Sequence, residues 1–216
     1  MAIQRELIMN KFTLCKIMKT VPEEVALSFD DLPTTEHKDG EFRLRRYSVF
    51  NCRGEPLDST EFTQSLEYNK YQGDVTRTFQ PIEEHICHHY SFVLLVERFR
   101  DITGVRHKNV EVHQMRIVTD GSEPVEISPE GPHQDGYDAI CLVGISRENI
   151  TGGNLLLSSE KSGETILSYA LKNGEAAIID DRDLWHNGDP IQAINPDKLG
   201  FMDVFVLLTN KGVSNE

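Results

Sequence analysis

The chain has 216 residues and a formal net charge of −13, so it can bury a sizeable core but carries a strongly acidic surface. Such a surface repels phosphate backbones and anionic lipids, so neither nucleic acid nor a membrane surface is an expected partner. No stretch approaches the ~20 apolar residues of a membrane span, no signal peptide is recognisable, and the cysteines form no Cys-x-x-Cys pair, so we expect a protein of the reducing cytoplasm.

The N-terminal quarter of the chain mixes helical and extended patterns. Residues 1–20 have the spacing of a partly amphipathic helix. Residues 21–40 begin with a proline and favour a short helix followed by an irregular loop. Residues 42–52 alternate in polarity and end before an Arg-Gly-Glu-Pro turn, which predicts a strand.

Two further segments precede the β-rich part of the chain. Residues 65–79 combine aromatic and basic side chains, which suits either the rim or lid of a substrate site or a solvated loop. Residues 83–103 follow a proline, begin with acidic residues and end before Gly104. These start and stop signals predict one long helix over that range.

From residue 109 onward, short apolar segments alternate with glycine turns, which predicts an antiparallel sandwich or barrel. We therefore predict a mainly β fold with flanking helices. Residues 1–216 would form one domain, in which a helical and mixed part, about 1–105, buttresses a jelly-roll core, about 106–212. The predicted strands are 110–118, 137–145, 154–158, 165–170, 176–180 and 201–209.

The sequence Glu-Gly-Pro-His-Gln-Asp-Gly at 130–136 carries the main functional signal. His133 and Asp135 are two residues apart, so in an extended segment both side chains point to one face. His186, which follows a later apolar strand, is the third ligand that we predict. Two histidines and one carboxylate form the facial triad of non-haem Fe(II) oxygenases, which leaves metal positions free for a co-substrate and O2. The simpler alternative is a loop histidine at 133 and a turn histidine at 186.

Several motifs resemble the Fe(II)/2-oxoglutarate dioxygenases, and in particular the small bacterial L-isoleucine 4-dioxygenase branch, which hydroxylates free amino acids. The resemblance covers most of the chain from about residue 40. It implies a double-stranded β-helix of the cupin-like type, Fe(II), 2-oxoglutarate and O2 as cofactor and co-substrates, and release of CO2 and succinate. The motifs are His133-Gln-Asp135, the turn at Gly152-Gly153, His186 before Asp-Pro-Ile, residues 201–209, Arg43–Tyr47, Glu67–Asn69 and His113–Arg116.

The chain departs from this family pattern in its last strand, where the family usually has an arginine that pairs with the distal carboxylate of 2-oxoglutarate. Met202 occupies that position here, and Ile117 stands where related enzymes often have a tyrosine. An apolar residue cannot compensate a buried carboxylate. Three explanations remain open. Another cation binds the distal carboxylate of 2-oxoglutarate, the enzyme works without 2-oxoglutarate, or the metal site has altered or lost activity. The candidate cations are Arg116, Arg147 and Lys198.

Strand alternation bears on these candidates, because it puts Arg116 on the opposite face from Met115 and Ile117. The more apolar face is the one expected to point into the barrel, which would leave Arg116 outside. Arg45 and Arg77 are candidates to bind a substrate carboxylate, although exposed arginines are also common.

The leading hypothesis from the sequence is an Fe(II) dioxygenase that oxidises a small metabolite such as a free L-amino acid. Two alternatives use the same ligands: a cupin-like protein that holds a metal without turnover, and a hydrolase or isomerase that uses Zn²⁺ or Mn²⁺. The sequence leaves the oligomeric state open. No Gly-rich phosphate loop or Gly-x-Ser-x-Gly motif competes with these hypotheses.

Overall fold

The computed structural model describes residues 11–121 and 123–209 of the chain. Within them, the helices are α1 (Glu23–Leu27), α2 (Glu84–Cys87) and α3 (Tyr90–Thr103). The strands are β1 (Phe12–Lys16), β2 (Arg43–Phe50), β3 (Pro56–Leu57), β4 (Glu61–Phe62), β5 (Arg77–Thr78), β6 (Val110–Thr119), β7 (Ile140–Glu148), β8 (Ile150–Gly152), β9 (Leu155–Ser158), β10 (Thr165–Tyr169), β11 (Glu175–Ile179), β12 (Trp185–Gly188), β13 (Ile191–Ala193) and β14 (Gly200–Thr209).

The larger sheet is antiparallel and has the strand order β1-β11-β7-β14-β6-β2-β3. Strand β14 lies at its centre and pairs with β6 on one side and β7 on the other. Side chains alternate between the two faces, as the pleat requires. On β6, Val110 and Val112 pack toward the helices, whereas His113, Met115 and Ile117 line an internal cavity.

The smaller sheet has the order β10-β9-β12. An antiparallel bridge between His133 and His186 sets the segment around residue 133 beside β12. Strands β13 and β8 form a further pair, and a bridge between Val125 and Ile191 continues it. Leu155 and Leu157 of the smaller sheet pack against the inner face of the larger one, so the two sheets enclose a common core. This confirms the predicted jelly roll.

The helices cover the outer face of the larger sheet. Phe205 of β14 meets Phe29, which follows α1, at 5.0 Å between ring centroids and Phe92 of α3 at 5.3 Å, both edge-to-face. Phe99 of α3 is also fully buried in this cluster. Burying a side chain of this size contributes about 1.5–3 kcal/mol, so this layer holds the helices on the sheet and leaves the inner face free for the cavity.

The helix predicted over residues 1–20 is wrong where the structure can test it; residues 1–10 lie outside the described residues. Phe12–Lys16 forms β1, which pairs with β11 from Phe12 opposite Ile179 to Lys16 opposite Glu175. A long-range partner supplies the hydrogen bonds of this strand. The local apolar spacing cannot reveal that partner.

The single helix predicted over residues 83–103 is in fact two helices. The backbone of His89 is extended, with ψ of 126°, and its side chain accepts a hydrogen bond from the Ser91 N–H. This side chain caps a new helix, α3, and interrupts the ladder of α2. The predicted end at Gly104 is confirmed, since Gly104 has φ of 73° and ends α3 in the left-handed conformation. Short helix α1 also falls within the predicted 21–40 segment.

The predicted strands of the jelly roll are present, with one clear shift. The strand expected at 137–145 is observed at Ile140–Glu148, because Tyr137 belongs to the turn that follows the His-x-Asp pair. The short strands at 150–152, 185–188 and 191–193 were not predicted, since runs of three or four residues carry little periodicity. In the part of the chain that the structure describes, no helix combines the length and apolarity that crossing a bilayer requires.

Candidate active site

His133, Asp135 and His186 converge at one end of the jelly roll. The backbones of His133 and His186 exchange two hydrogen bonds of 2.9 Å, which fixes the two histidines side by side. Asp135 Oδ1 lies 3.6 Å from His133 Nε2, and Asp135 Oδ2 lies 3.4 Å from His186 Nε2. One ligand atom from each residue lies within 4.8 Å of the others. The structure therefore brings together the three side chains that the sequence predicted.

The orientation of this triad is fixed by neighbouring polar groups. His133 Nδ1 lies 2.8 Å from the Gly131 carbonyl oxygen, so Nδ1 carries the proton and Nε2 is left as a metal-binding lone pair. Gln64 donates to Asp135 Oδ1 at 2.5 Å, and Asn69 donates to Gln64 Oε1 at 3.0 Å. The segment predicted to be a rim or a solvated loop thus supplies buried support to the site.

Asp181 determines the shape of the turn that carries Asp135. Its carboxylate is fully buried and accepts backbone N–H groups from Asp135 at 3.0 Å, Gly136 at 2.7 Å and Tyr137 at 2.9 Å. Gly136 has φ of 85°, and a Cβ there would lie 2.6 Å from the Tyr68 ring. The turn therefore needs both a buried acceptor and a glycine.

Electrostatics couple the members of the triad. Burial disfavours the charged form of His186, but the attraction of Asp135 and then Asp181 outweighs it and raises the pKa of His186 to about 10. Burial also opposes ionisation of Asp135, yet the attraction of His186, 3.4 Å away, outweighs it and lowers the pKa of Asp135 below its usual value. Burial and the adjacent His186 charge lower the pKa of His133. The buried carboxylates thus favour a positive charge between the two histidines, which is where a metal ion would be held.

The donor set fits a ferrous ion. Two imidazoles and one carboxylate on a common side are the facial triad of non-haem Fe(II) oxygenases. His186 Nε2 is buried and has no hydrogen-bond partner of good geometry, so it is a polar atom that a metal ion would satisfy. Metal binding at this nitrogen requires its neutral form, so metal affinity would depend on pH.

Four residues that are paired across neighbouring strands form a row along the cavity beside the triad. An arginine lies at each end of this row. Along the larger sheet, Arg147 of β7 is paired with Met202 of β14, Met202 with Ile117 of β6, and Ile117 with Arg43 of β2. All four residues line the cavity. Directly paired residues point to the same face, so the floor of the cavity has an apolar centre and an arginine on each side.

The β2 end of the cavity holds three arginines. Asp39 accepts from Arg43 at 2.8 Å and from Arg45 at 3.3 Å, while Arg77 donates to Gln64 Oε1 at 3.4 Å. Arg45 and Arg77 are 5% and 2% exposed. Burial and the neighbouring Arg43 charge lower the pKa of Arg45 to about 9, so an anion at this end would be stabilising.

The β7 end of the cavity holds Arg147. Its Nη2 donates to the Gly152 carbonyl oxygen, and its Nη1 donates to the Gly153 carbonyl oxygen at 3.1 Å. A Cβ at Gly153 would lie 3.0 Å from Met202 Sδ and 3.1 Å from Arg147 Nη1. The ends of Met202 and Arg147 therefore occupy neighbouring positions over the glycine turn.

The model of the family described as 2OG-Fe dioxygenase matches residues 26–208, which is most of the chain. The chain belongs to the 2OG-Fe dioxygenase family. It is accordingly an Fe(II)-dependent dioxygenase, and the family implies Fe(II), 2-oxoglutarate and O2. No curated protein matches the sequence.

Solved structures share the fold of this dioxygenase. A bsmA homologue from Methylobium petroleophilum PM1 has 21% identity and a TM-score of 0.74, over 96% of this chain and 91% of that one. IDO from Bacillus thuringiensis has 17% identity and a TM-score of 0.74, over 95% and 96%. The Fe(II)/(alpha)ketoglutarate-dependent dioxygenase TqaL has 14% identity and a TM-score of 0.64, over 96% and 85%. Identities this low support the fold alone.

Two of the dioxygenase's candidate cations lie elsewhere. Arg116 projects from the opposite face of β6, where Nε donates to Asp203 Oδ1 at 2.6 Å and Nη1 donates to Asp30 Oδ1 at 2.8 Å. The strand alternation that pointed Arg116 outward is thus observed. Lys198 is exposed in the turn before β14 and is not part of the cavity wall. Of the three cations considered for the co-substrate, the structure brings only Arg147 to the cavity of this dioxygenase.

Sequence reasoning assigned no role to Glu130, Gln64 or Asp181, which all lie beside the triad. Glu130 is three residues before His133, and that short spacing was the one available signal. Gln64 and Asp181 are 71 and 46 residues away from Asp135 in sequence, so only the folded chain brings them to it.

Proposed function

We propose that this protein is an Fe(II)/2-oxoglutarate dioxygenase that oxidises a free L-amino acid, with His133, Asp135 and His186 as the iron ligands. The observation that carries the proposal is the convergence of these three side chains within 4.8 Å in a buried pocket. When bound, Fe(II) supplies the positions at which 2-oxoglutarate and O2 meet and the redox chemistry. The protein supplies the ligand geometry, an internal cavity and charges at its two ends.

Arg147 is the residue that we propose for the distal carboxylate of 2-oxoglutarate. It lies one strand away from Met202 and directly opposite it in register, on the same face. Its two backbone hydrogen bonds use two of its five N–H donors. The remaining donors suit a carboxylate, because a guanidinium binds one bidentately. Burial lowers the pKa of Arg147, so a carboxylate partner would offset that cost.

Arg45 and Arg77 are the residues that we propose for the substrate carboxylate. They line the cavity at the end away from Arg147, so the two anions would not compete for one cation. The buried Nε atoms of both arginines have no hydrogen-bond partner. The resemblance to the L-isoleucine 4-dioxygenase branch supports a free amino acid as the substrate class.

The location and partners proposed for the enzyme follow from its thiols and charge. Cys15, Cys52, Cys87 and Cys141 are all free. Free thiols suit a reducing compartment, which supports a cytoplasmic enzyme. The net charge of −13 supports a small molecule, and neither nucleic acid nor membrane, as its partner.

The test of the proposed function is an anaerobic titration of the purified protein with Fe(II) and 2-oxoglutarate. A visible charge-transfer band should appear when the co-substrate chelates the iron. Adding O2 with the substrate should consume oxygen and release succinate in equal amounts. Iron binding without the band would refute 2-oxoglutarate use, and His186→Ala serves as the control that should give neither signal.

Exchanging the two paired side chains tests the role of Arg147. Arg147→Met should weaken 2-oxoglutarate binding at least about tenfold, since a charged hydrogen-bonded pair is lost. The double variant Arg147→Met with Met202→Arg should restore binding, because it returns the cation to the last strand. An unchanged affinity in Arg147→Met would refute this assignment.

A further inference from the structure

Glu130 is an acidic group in the cavity wall whose ion-pair contacts are long. Its side chain is 6% exposed. Oε1 lies 3.5 Å from His133 Nε2, and Oε2 lies 4.0 Å from Arg43 Nη1, at the limit of an ion pair. Oε2 is buried and accepts no hydrogen bond. A buried carboxylate in this state is costly, so the site favours a ligand that donates to it.

A metal ion is not the ligand that Glu130 suits. In the described part of the chain, the atoms close enough to share one ion come from His133, Asp135 and His186, and Glu130 is not among them. A water molecule could donate a hydrogen bond to Oε2, but it is neutral and adds no charge interaction. An ammonium group would do both, because it brings three donors and a positive charge.

The surroundings of Glu130 complete the pattern of an α-amino acid. Arg45 and Arg77 both interact electrostatically with Glu130. Each has a buried Nε without a partner. Anion-binding and cation-binding groups thus line one cavity together with His133. A ligand that carries a carboxylate and an ammonium on one carbon atom matches both.

We propose that Glu130 binds the α-ammonium group of the substrate while Arg45 and Arg77 bind its α-carboxylate. The inference rests on the proposed function and makes it more specific. On this inference, the protein recognises both charged groups of the amino-acid zwitterion and not its carboxylate alone. Since Glu130 adjoins the iron ligand His133, the ammonium would orient the amino-acid side chain relative to the metal. Deaminated or N-acylated analogues would leave Glu130 without its partner, and their binding would suffer.

The test is binding to the protein loaded with Zn²⁺ and 2-oxoglutarate, which does not turn over. Calorimetry with the twenty common L-amino acids identifies the tightest ligand, which is then compared with its 2-hydroxy acid and its N-acetyl derivative. The wild type should bind the amino acid about tenfold or more tightly than either analogue, as expected for a lost charge-assisted hydrogen bond. Glu130→Gln should bind the amino acid about tenfold more weakly than the wild type does, so that the preference over the analogues disappears. Its affinity for the 2-hydroxy acid should equal that of the wild type.

Two further variants separate recognition from folding. Glu126→Gln changes an exposed glutamate of the same segment and should match the wild type. Glu130→Asp keeps the charge and should retain part of the preference for the amino acid. Equal losses for amino acid and hydroxy acid in Glu130→Gln, or no loss for either, would overturn the inference.

The outcome is also distinguishable from failure of the proposed function. If the Fe(II)/2-oxoglutarate band forms but no amino acid binds, the inference falls and the dioxygenase assignment stands. If amino acids bind with the predicted dependence on Glu130 but no band forms, the co-substrate assignment falls and the inference stands.

Discussion

Replacing Asp181 by asparagine tests how far the metal site depends on a residue outside the triad. The carboxylate is fully buried, and its two oxygens accept three backbone N–H groups of the turn that carries Asp135. Oδ1 also lies 3.3 Å from His186 Nε2. An asparagine has nearly the same shape but only one accepting oxygen and no charge. At least one backbone N–H would then face an amide NH2.

The cost of this substitution can be worked from these contacts. Losing one hydrogen bond to a charged group and weakening the other two corresponds to about 3 kcal/mol. A domain of ordinary stability, about 5–15 kcal/mol, would remain folded after such a loss. The turn would no longer be fixed, so Asp135 would be misplaced. Disturbing groups that orient metal ligands weakens metal binding about 10- to 100-fold.

Urea unfolding followed by fluorescence measures the stability change, because Trp185 is the only tryptophan and adjoins His186. The midpoint should fall by about 1 M or more for the expected loss. Competition with a chromophoric chelator measures the metal affinity. Asp183→Asn is the matched control, since that side chain is 48% exposed in a surface pair with Lys11. Its effect should stay below about 1 kcal/mol. Wild-type stability and metal affinity in Asp181→Asn would refute the reasoning.

Three other predictions concern charged groups of the site and its surroundings. His186→Ala should abolish metal binding while the circular dichroism spectrum stays that of the wild type; retained stoichiometric binding would remove His186 from the ligand set. Burial opposes ionisation of Asp39, but the attraction of nearby arginines outweighs burial and lowers the pKa of Asp39 from 3.8 to about 2. Its ionised form therefore stabilises the fold by about 2 kcal/mol above about pH 4, and this is lost as the pH falls toward 2. Urea unfolding across that range should show the loss in the wild type and a weaker pH dependence in Asp39→Asn. Arg116→Met should lower stability by about 3–5 kcal/mol, because it leaves Asp203 buried and unpaired, yet leave 2-oxoglutarate affinity unchanged; a selective loss of co-substrate binding would contradict its position outside the cavity.

The parts of the site that the sequence predicted are those governed by short-range geometry. His133 and Asp135 share a face because two residues separate them, and that rule holds in any extended segment. The same alternation separated Arg116 from Ile117 before the fold was known. His186 was predicted from its position after an apolar strand and from the family resemblance, and the fold places it beside His133.

The parts that the sequence did not predict depend on contacts between distant residues. Strand β1 is extended because the edge of β11 offers it hydrogen bonds, not because of its own apolar spacing. Asp181 follows a predicted strand, but nothing nearby in the sequence marks its carboxylate as buried under the turn at Gly136. Likewise, the two-helix break at His89 depends on one side chain that accepts a backbone N–H. Local propensity is a weak guide wherever such a specific partner decides the conformation.

The relation between Arg147 and Met202 suggests, on our proposal, how a folded site can keep a charge that a fixed sequence pattern misses. Neighbouring strands are about 4.8 Å apart, and residues paired across them point to the same face. An arginine can therefore move from β14 to the paired position of β7 and still reach the same end of the cavity, where the ends of Arg147 and Met202 both lie over the turn at Gly153. In sequence the two positions are 55 residues apart, on opposite sides of His186. A pattern that requires an arginine after the last histidine misses this arrangement, whereas the pairing register of the sheet identifies it. On our proposal, the pocket needs a positive charge at this place, and either of the two paired strands can supply it.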